Sequence, residues 1–290
     1  MIIGGDRSAV IENIKKAASE QRFNDKVEIG DPDLTEKEKL QIFDDFFDNR
    51  TKAGYLIKCF FVRRLADIAA FILNRKLEIK GVENYTSVKG GAMITCNHYN
   101  HLDSTVLRYL VKKYGNTRLY TASQDTNFAI KGAHGLLMKY ADTIPVTRNL
   151  HRMKKFELML SEHLKKGNQV LIYPEQEMWF NYKKPRPVKD GAYYYAAKLN
   201  VPVISCFTEM QPLEKNDNGQ FKKVKLILHV LPPIFPDESK NFRENSVIMR
   251  ETDEKQKREA FEKAYGKELV YDFDYSDIAG YIYEQNREEL

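Results

Sequence analysis

The run Asn97-His98-Tyr99-Asn100-His101-Leu102-Asp103 sets a histidine five residues ahead of a carboxylate, directly after a short apolar stretch. An imidazole works as a general base when a neighbouring carboxylate holds it in one tautomer. Were 98–103 all helical, the two side chains would stand about 140° apart around the axis. The pair therefore meets only if His98 lies on a loop and Asp103 at the mouth of the next helix. Asp103-Ser104-Thr105 is good helix N-terminal material, and a carboxylate there is favoured by the positive end of the helix. A loop histidine beside a capping aspartate, with no chemistry, is the plain alternative.

Two further groups carry charge at telling places. Tyr173-Pro174-Glu175-Gln176-Glu177 follows the apolar run 169–173, and α/β folds gather their sites at the carboxyl ends of strands. Lys183, Lys184, Arg186 and Lys189 come soon after, either as an anion-binding cluster or as a solvated basic patch. Arg148 closes Ile144-Pro145-Val146-Thr147-Arg148 and suits either a phosphate or open solvent. His98, His101 and Asp103 also read as possible metal ligands. Cys59, Cys96 and Cys206 are too scattered for a zinc motif or a disulfide framework.

The elements that must hold these residues follow from periodicity. Short apolar runs at 92–98, 117–123, 143–148, 168–175 and 201–210 alternate with helical stretches at 104–114, 150–166 and 191–200. Residues 224–234 read as the hairpin partner of 201–210. This alternation predicts an α/β layered domain, its largely parallel or mixed sheet flanked by helices, with helical N- and C-terminal extensions. The domains expected are a helical region 1–76, a central domain 77–238 and an acidic helical tail 239–290. Thr35 and Glu38 have capping-box spacing ahead of a helix. The stretch 53–76 is the most apolar helix, but Lys58, Arg63, Arg64 and Asp67 interrupt the ~20 apolar residues that spanning a bilayer takes. It reads as an interfacial membrane helix or as one packed on the body.

Charge is unevenly spread. Of the 290 residues, 42% are hydrophobic and 30% charged, which excludes whole-chain disorder and collagen. The net charge of +5 divides into −4 over 1–50, +14 over 51–200 and −5 over 201–290. A basic middle suggests an anionic partner: phosphate, coenzyme, nucleic acid or anionic membrane. RNA-module signatures are missing, so nucleic acid is not expected. The N-terminus lacks the layout of a signal peptide, and a cytoplasmic setting is expected.

Taken in order, N-H-x-x-x-x-D after a strand, I-P-V-x-R, Y-P-E after another strand and Val201-Pro202-Val203-Ile204 resemble the glycerolipid acyltransferase family, whose best-known members are lysophosphatidic acid acyltransferases. The resemblance covers roughly 78–235. It implies that His98 is the general base and Asp103 its orienting partner. It also implies that Arg148 contacts an acceptor phosphate and that Glu175 belongs to the third motif. That motif usually reads P-E-G-T-R, whereas here Gln176-Glu177-Met178 follow Glu175, so both its glycine and its arginine are absent. Lys183, Lys184 and Arg186 are expected to read the acceptor phosphate instead.

The expected function is transfer of a fatty acyl group from acyl-CoA or acyl-carrier protein to a lysophospholipid-type hydroxyl, within phospholipid biosynthesis. No cofactor or metal is expected beyond the thioester co-substrate. The expected partners are the donor, the acceptor and an anionic membrane, bound peripherally at its inner face. The alternatives are a metal-dependent hydrolase on His98, His101 and Asp103, and a non-catalytic lipid-binding member.

Overall fold

The computed structural model describes residues 6–30 and 32–283. The expected regions 1–76 and 239–290 extend past these at 1–5, 31 and 284–290, which lie outside the described residues.

Helix α1 (Ser8–Ser19) buries Val10, Ile11, Ile14, Ala17 and Ala18, the stripe that a 3.6-residue period puts on one face. Helix α2 (Glu36–Asn49) starts on the expected capping box. The Thr35 hydroxyl accepts the Glu38 N–H, and the Glu38 carboxylate accepts the Thr35 N–H at 2.8 Å. Helix α3 (Ala53–Leu73), strand β1 (Glu78–Lys80) and helix α4 (Val82–Ser87) lead into β2 (Met93–Thr95). Next come α5 (Asp103–Leu110), a π turn (Val111–Gly115), β3 (Leu119–Ser123), α6 (Asp125–Ala129), α7 (Gly132–Tyr140) and β4 (Thr143–Pro145). Then follow α8 (Leu150–Lys165), β5 (Gln169–Leu171), α9 (Gly191–Lys198), β6 (Val203–Asn216), β7 (Lys222–Val230) and α10 (Phe242–Tyr265).

Seven strands form one sheet in the order β1-β7-β6-β2-β5-β3-β4. Strands β2 to β6 run parallel; β7 pairs antiparallel with β6, and β1 runs parallel to β7. The fold is the expected α/β layer with a mixed sheet flanked by helices, and helices are present at both the N- and C-terminal sides. Strand alternation divides the core. Met93, Val170 and Val203 pack with Phe156, Leu160 and Tyr193 on one face, and Ile94, Leu171 and Ile204 pack with Val106, Leu107 and Leu110 on the other. Burial on both faces is why these strands read as continuous apolar runs.

The strands bearing site residues are shorter than the apolar runs, and the reason lies in the side chains that end them. The Asn97 amide donates to the Thr208 carbonyl (3.1 Å) and accepts the Thr208 N–H (2.8 Å), so a side chain replaces the next rung of the ladder. Freed from the sheet, the chain turns at once into the His98 loop. The Thr95 hydroxyl donates to buried Asp253 at 2.9 Å and accepts from buried Lys257 at 3.1 Å, so α10 pins the end of β2.

Helix α3 has its polarity reversed relative to a helix on a water-soluble body. Its inward face carries charge: Asp67 accepts from Arg108 at 2.8 Å, and Arg63 stands 3.9 Å from buried Asp142. Its outward face carries Ile57, Phe61, Leu65, Ile68 and Ile72, each more than half exposed. No helix among the described residues is long and apolar enough to cross a membrane.

Candidate active site

Because β2 to β6 are parallel, the segments that leave their carboxyl ends converge on one edge of the sheet. There His98 lies on the loop and Asp103 is the first residue of α5. The two meet: His98 Nδ1 is 2.7 Å from Asp103 Oδ2. That same oxygen accepts the Tyr99 N–H (3.1 Å) and the Asn100 N–H (3.4 Å), while Oδ1 accepts the Tyr173 hydroxyl at 2.6 Å. Burial, with Asp103 adding to it, pushes the Tyr173 hydroxyl well above its ordinary pKa, so it stays a donor. The hydrogen-bond network assigns the His98 proton to Nδ1, facing the carboxylate. Nε2, which makes no hydrogen bond among the described residues, keeps its lone pair for the cavity.

The cavity has a volume of about 750 Å³. His98, Ser104, Arg148, Glu177 and Lys189 supply polar wall, and Ile130, Phe156, Ile172 and Tyr195 supply apolar wall. Glu36, Lys39 and Leu40 close it from α2. A second cavity, of about 770 Å³, lies between α2 and the start of α3 and contains none of the His98 group. Cys96 is buried, which pushes its thiol up to about 12 and leaves it a packed side chain rather than a nucleophile.

His101 looks elsewhere. Its Nε2 is 3.6 Å from Glu28, which itself receives a hydrogen bond from Arg7 at 2.7 Å. Burial raises the Glu28 carboxyl, but His101 and Arg7 outweigh it and hold the group below its ordinary value. Among the described residues no group of three or more His, Cys, Asp or Glu side chains is placed to hold a metal ion. The set His98, His101 and Asp103 is thus split between two carboxylate partners.

The downstream basic cluster requires correction. Arg186 is 2% exposed and donates to Glu175 Oε2 from Nε (3.1 Å) and Nη2 (2.8 Å). Lys184 is 3% exposed and paired with Asp272 (2.7 Å) and Asp277 (2.6 Å). Lys183 is half-buried, its ammonium 5.3 Å above the Tyr265 ring, and burial lowers its pKa. None of the three lines the cavity, and neither does Glu175. Of the loop's cations, Lys184 and Arg186 turn inward onto carboxylates. Arg148 and Lys189 do line the cavity, and neither makes an ion pair among the described residues.

Sequence reasoning grouped Lys189 with the basic cluster without singling it out, and gave no role to Tyr173 or Glu28. Tyr173 stood in a quoted motif without a role, and its position at a strand end was the available signal. No signal marked Glu28, which reaches the cavity from the N-terminal segment. Gln176, where the resemblance leads one to expect glycine, adopts φ +68°, a left-handed conformation that favours glycine.

Residues 76–209 match the family model described as Acyltransferase. No curated protein matches the chain. Among solved structures it is similar to the 1-acyl-sn-glycerophosphate (LPA) acyltransferase, PlsC, from Thermotoga maritima. That match has 15% identity and a TM-score of 0.46, and covers 77% of this chain and 97% of that one.

Proposed function

We propose, for a chain carrying an acyltransferase-family domain over residues 76–209, that it moves a fatty acyl group from an acyl thioester to a hydroxyl of a lysophospholipid-type acceptor such as lysophosphatidic acid. The observation that carries this reading is the imidazole of His98, with Nδ1 held by Asp103 at 2.7 Å and Nε2 left to the cavity. Nε2 takes the proton of the acceptor hydroxyl as that oxygen bonds to the thioester carbonyl carbon. Collapse of the tetrahedral adduct breaks the C–S bond, and the departing sulfur receives the proton from Nε2. The products are an ester and a free thiol, of CoA or of acyl-carrier protein, and no enzyme-bound acyl group is needed.

Arg148 and Lys189 supply positive charge to the cavity wall and suit an acceptor phosphate. The outward apolar face of α3 suits an interfacial position, where exposed Leu, Ile and Phe side chains enter the acyl boundary of an anionic bilayer. Such a position would bring the lipid acceptor to the protein.

An acceptor screen with acyl-CoA and acyl-carrier protein, followed by released thiol, tests the reading. Thiol release that depends on lysophosphatidic acid is expected. A monoacylglycerol or a sugar hydroxyl outperforming it would overturn the phosphate acceptor and leave acyl transfer standing. No acceptor-dependent release from either donor would overturn the whole reading.

A further inference from the structure

We infer that the buried Glu175–Arg186 pair is a positioning device for His98, and that a strap at residues 23–25, outside the matched domain, holds that pair in place. The inference rests on the acyl-transfer reading above and deepens it.

Both peptide groups of His98 are gripped. Its N–H donates to Glu175 Oε2 at 3.1 Å. Its carbonyl accepts the Trp179 N–H at 3.1 Å and Arg186 Nη2 at 3.4 Å. The ring is fixed separately, by Asp103 and by stacking on Tyr173. Main chain and side chain are thus tied by different groups, and the Glu175–Arg186 pair supplies the main-chain half.

The guanidinium is buried and turned to the protein rather than to a substrate. Besides Glu175 it serves the carbonyls of Phe23 (2.8 Å), His98 and Glu177, and it lies 4.7 Å over the Trp179 ring. The strap completes the hold. Asn24 donates to the carbonyls of Glu175 (3.2 Å) and Pro187 (2.9 Å), and the Asp25 carbonyl accepts the Trp179 indole N–H at 2.9 Å. The loop that carries the pair is therefore gripped across its whole width by three consecutive N-terminal residues. A base displaced by about 1 Å loses on the order of 100-fold in rate, so the device acts on turnover rather than on substrate binding.

The test compares thiol-release kinetics of three variants with wild type, and includes His98→Ala in parallel. Glu175→Leu with Arg186→Met removes the clamp without leaving a buried charge unpaired. Its kcat should fall about 10–100-fold while the acceptor KM stays within about two-fold. Glu175→Gln with Arg186→Met restores an acceptor for the His98 N–H and should recover several-fold of the loss (~3-fold or more), a rescue that a merely structural role would not produce. Asn24→Ala, at a half-buried position that leaves the core intact, should show the same split at roughly 3–10-fold and decides the matter if the double variants do not fold.

Full kcat in the Leu/Met variant, or in Asn24→Ala where that variant does not fold, would overturn the inference. So would a large rise in acceptor KM at constant kcat, which would return Arg186 to the substrate. If His98→Ala keeps wild-type turnover, the base assignment itself falls and takes the clamp with it. Loss in His98→Ala with full activity in the clamp variants overturns the clamp alone.

Discussion

The ring of His98 lies flat against that of Tyr173, centroids 3.9 Å apart and planes 10° from parallel, and both side chains hydrogen-bond the carboxylate of Asp103. One aromatic side chain thus supports the imidazole from its face and, through its hydroxyl, fixes the group that fixes Nδ1. This makes Tyr173 a positioning residue, and its effect should be separable from that of Asp103.

Asp103→Asn should lower kcat by about 100- to 10,000-fold, because an amide no longer enforces the tautomer that leaves Nε2 basic. Tyr173→Phe keeps the stack and loses one donor to the carboxylate, so it should cost about 10-fold, the lower end for a hydrogen bond to a charged group. Neither change should alter the acceptor KM beyond about two-fold. Steady-state kinetics that rank Tyr173→Phe level with Asp103→Asn would mean that the hydroxyl touches the substrate.

Gln176 tests the backbone of the third-motif loop. The residue is exposed, so substitutions there report conformation rather than packing. At φ +68°, Gln176→Gly should leave stability within about 0.5 kcal/mol of wild type, relief of strain offsetting the entropy of glycine. Gln176→Val should lose about 1–2 kcal/mol, since a branched side chain is poorly accommodated there. Urea denaturation of the pair measures both, and equal stabilities would refute the strained turn.

The reversed polarity of α3 predicts a surface effect without a folding effect. Phe61→Glu with Ile68→Glu places charge on the exposed face and should abolish sedimentation with phosphatidylglycerol vesicles. The melting temperature should stay within about 3 °C, as exposed substitutions cost little. High salt should weaken wild-type binding only in part, because the apolar contribution is not screened. Unchanged sedimentation of the variant would remove α3 from the membrane contact.

His163 predicts a pH dependence of stability. Its ring stacks on Tyr120 at 3.6 Å, and burial pushes its pKa down to about 4 from 6.5. Between those values the unfolded chain binds a proton that the folded one refuses. The stability this residue contributes is therefore complete above pH 6.5 and lost as pH falls toward 4. The loss at pH 5 is on the order of 1–2 kcal/mol, below the ~1.4 kcal/mol per unit ceiling because some solvent reaches the ring. His163→Phe keeps the stack and sacrifices no hydrogen bond among the described residues, since both ring nitrogens lack a partner. It should unfold at higher denaturant than wild type at pH 5 and show a smaller gap at pH 7.5. An equal gap at both values would show that His163 does not titrate between them.

The elements were legible because each declares itself locally. Thr35 and Glu38 announced a helix start, apolar runs announced buried strands, and five-residue spacing required a loop histidine and a helix-mouth carboxylate. What stayed hidden depends on partners far along the chain. Lys183, Lys184 and Arg186 look like a solvated patch until Glu175, Asp272 and Asp277 arrive to bury two of them. The charges that interrupt α3 were visible, but not that Arg63 and Asp67 face inward, because Asp142 and Arg108 sit outside that helix. Glu28 reaches the cavity only because α1 and its following segment pack beneath the site loop.

The most direct measurement is thiol released from acyl-CoA in the presence of lysophosphatidic acid by wild type and by His98→Ala. Removing the imidazole should lower kcat by at least about 100-fold, the usual contribution of a general base, with the fold retained because Asp103 keeps its hydrogen bonds from Tyr99, Asn100 and Tyr173. Addition of free imidazole should return part of the activity to the alanine variant. A stable His98→Ala protein that releases thiol at close to the wild-type rate would contradict the account at its centre.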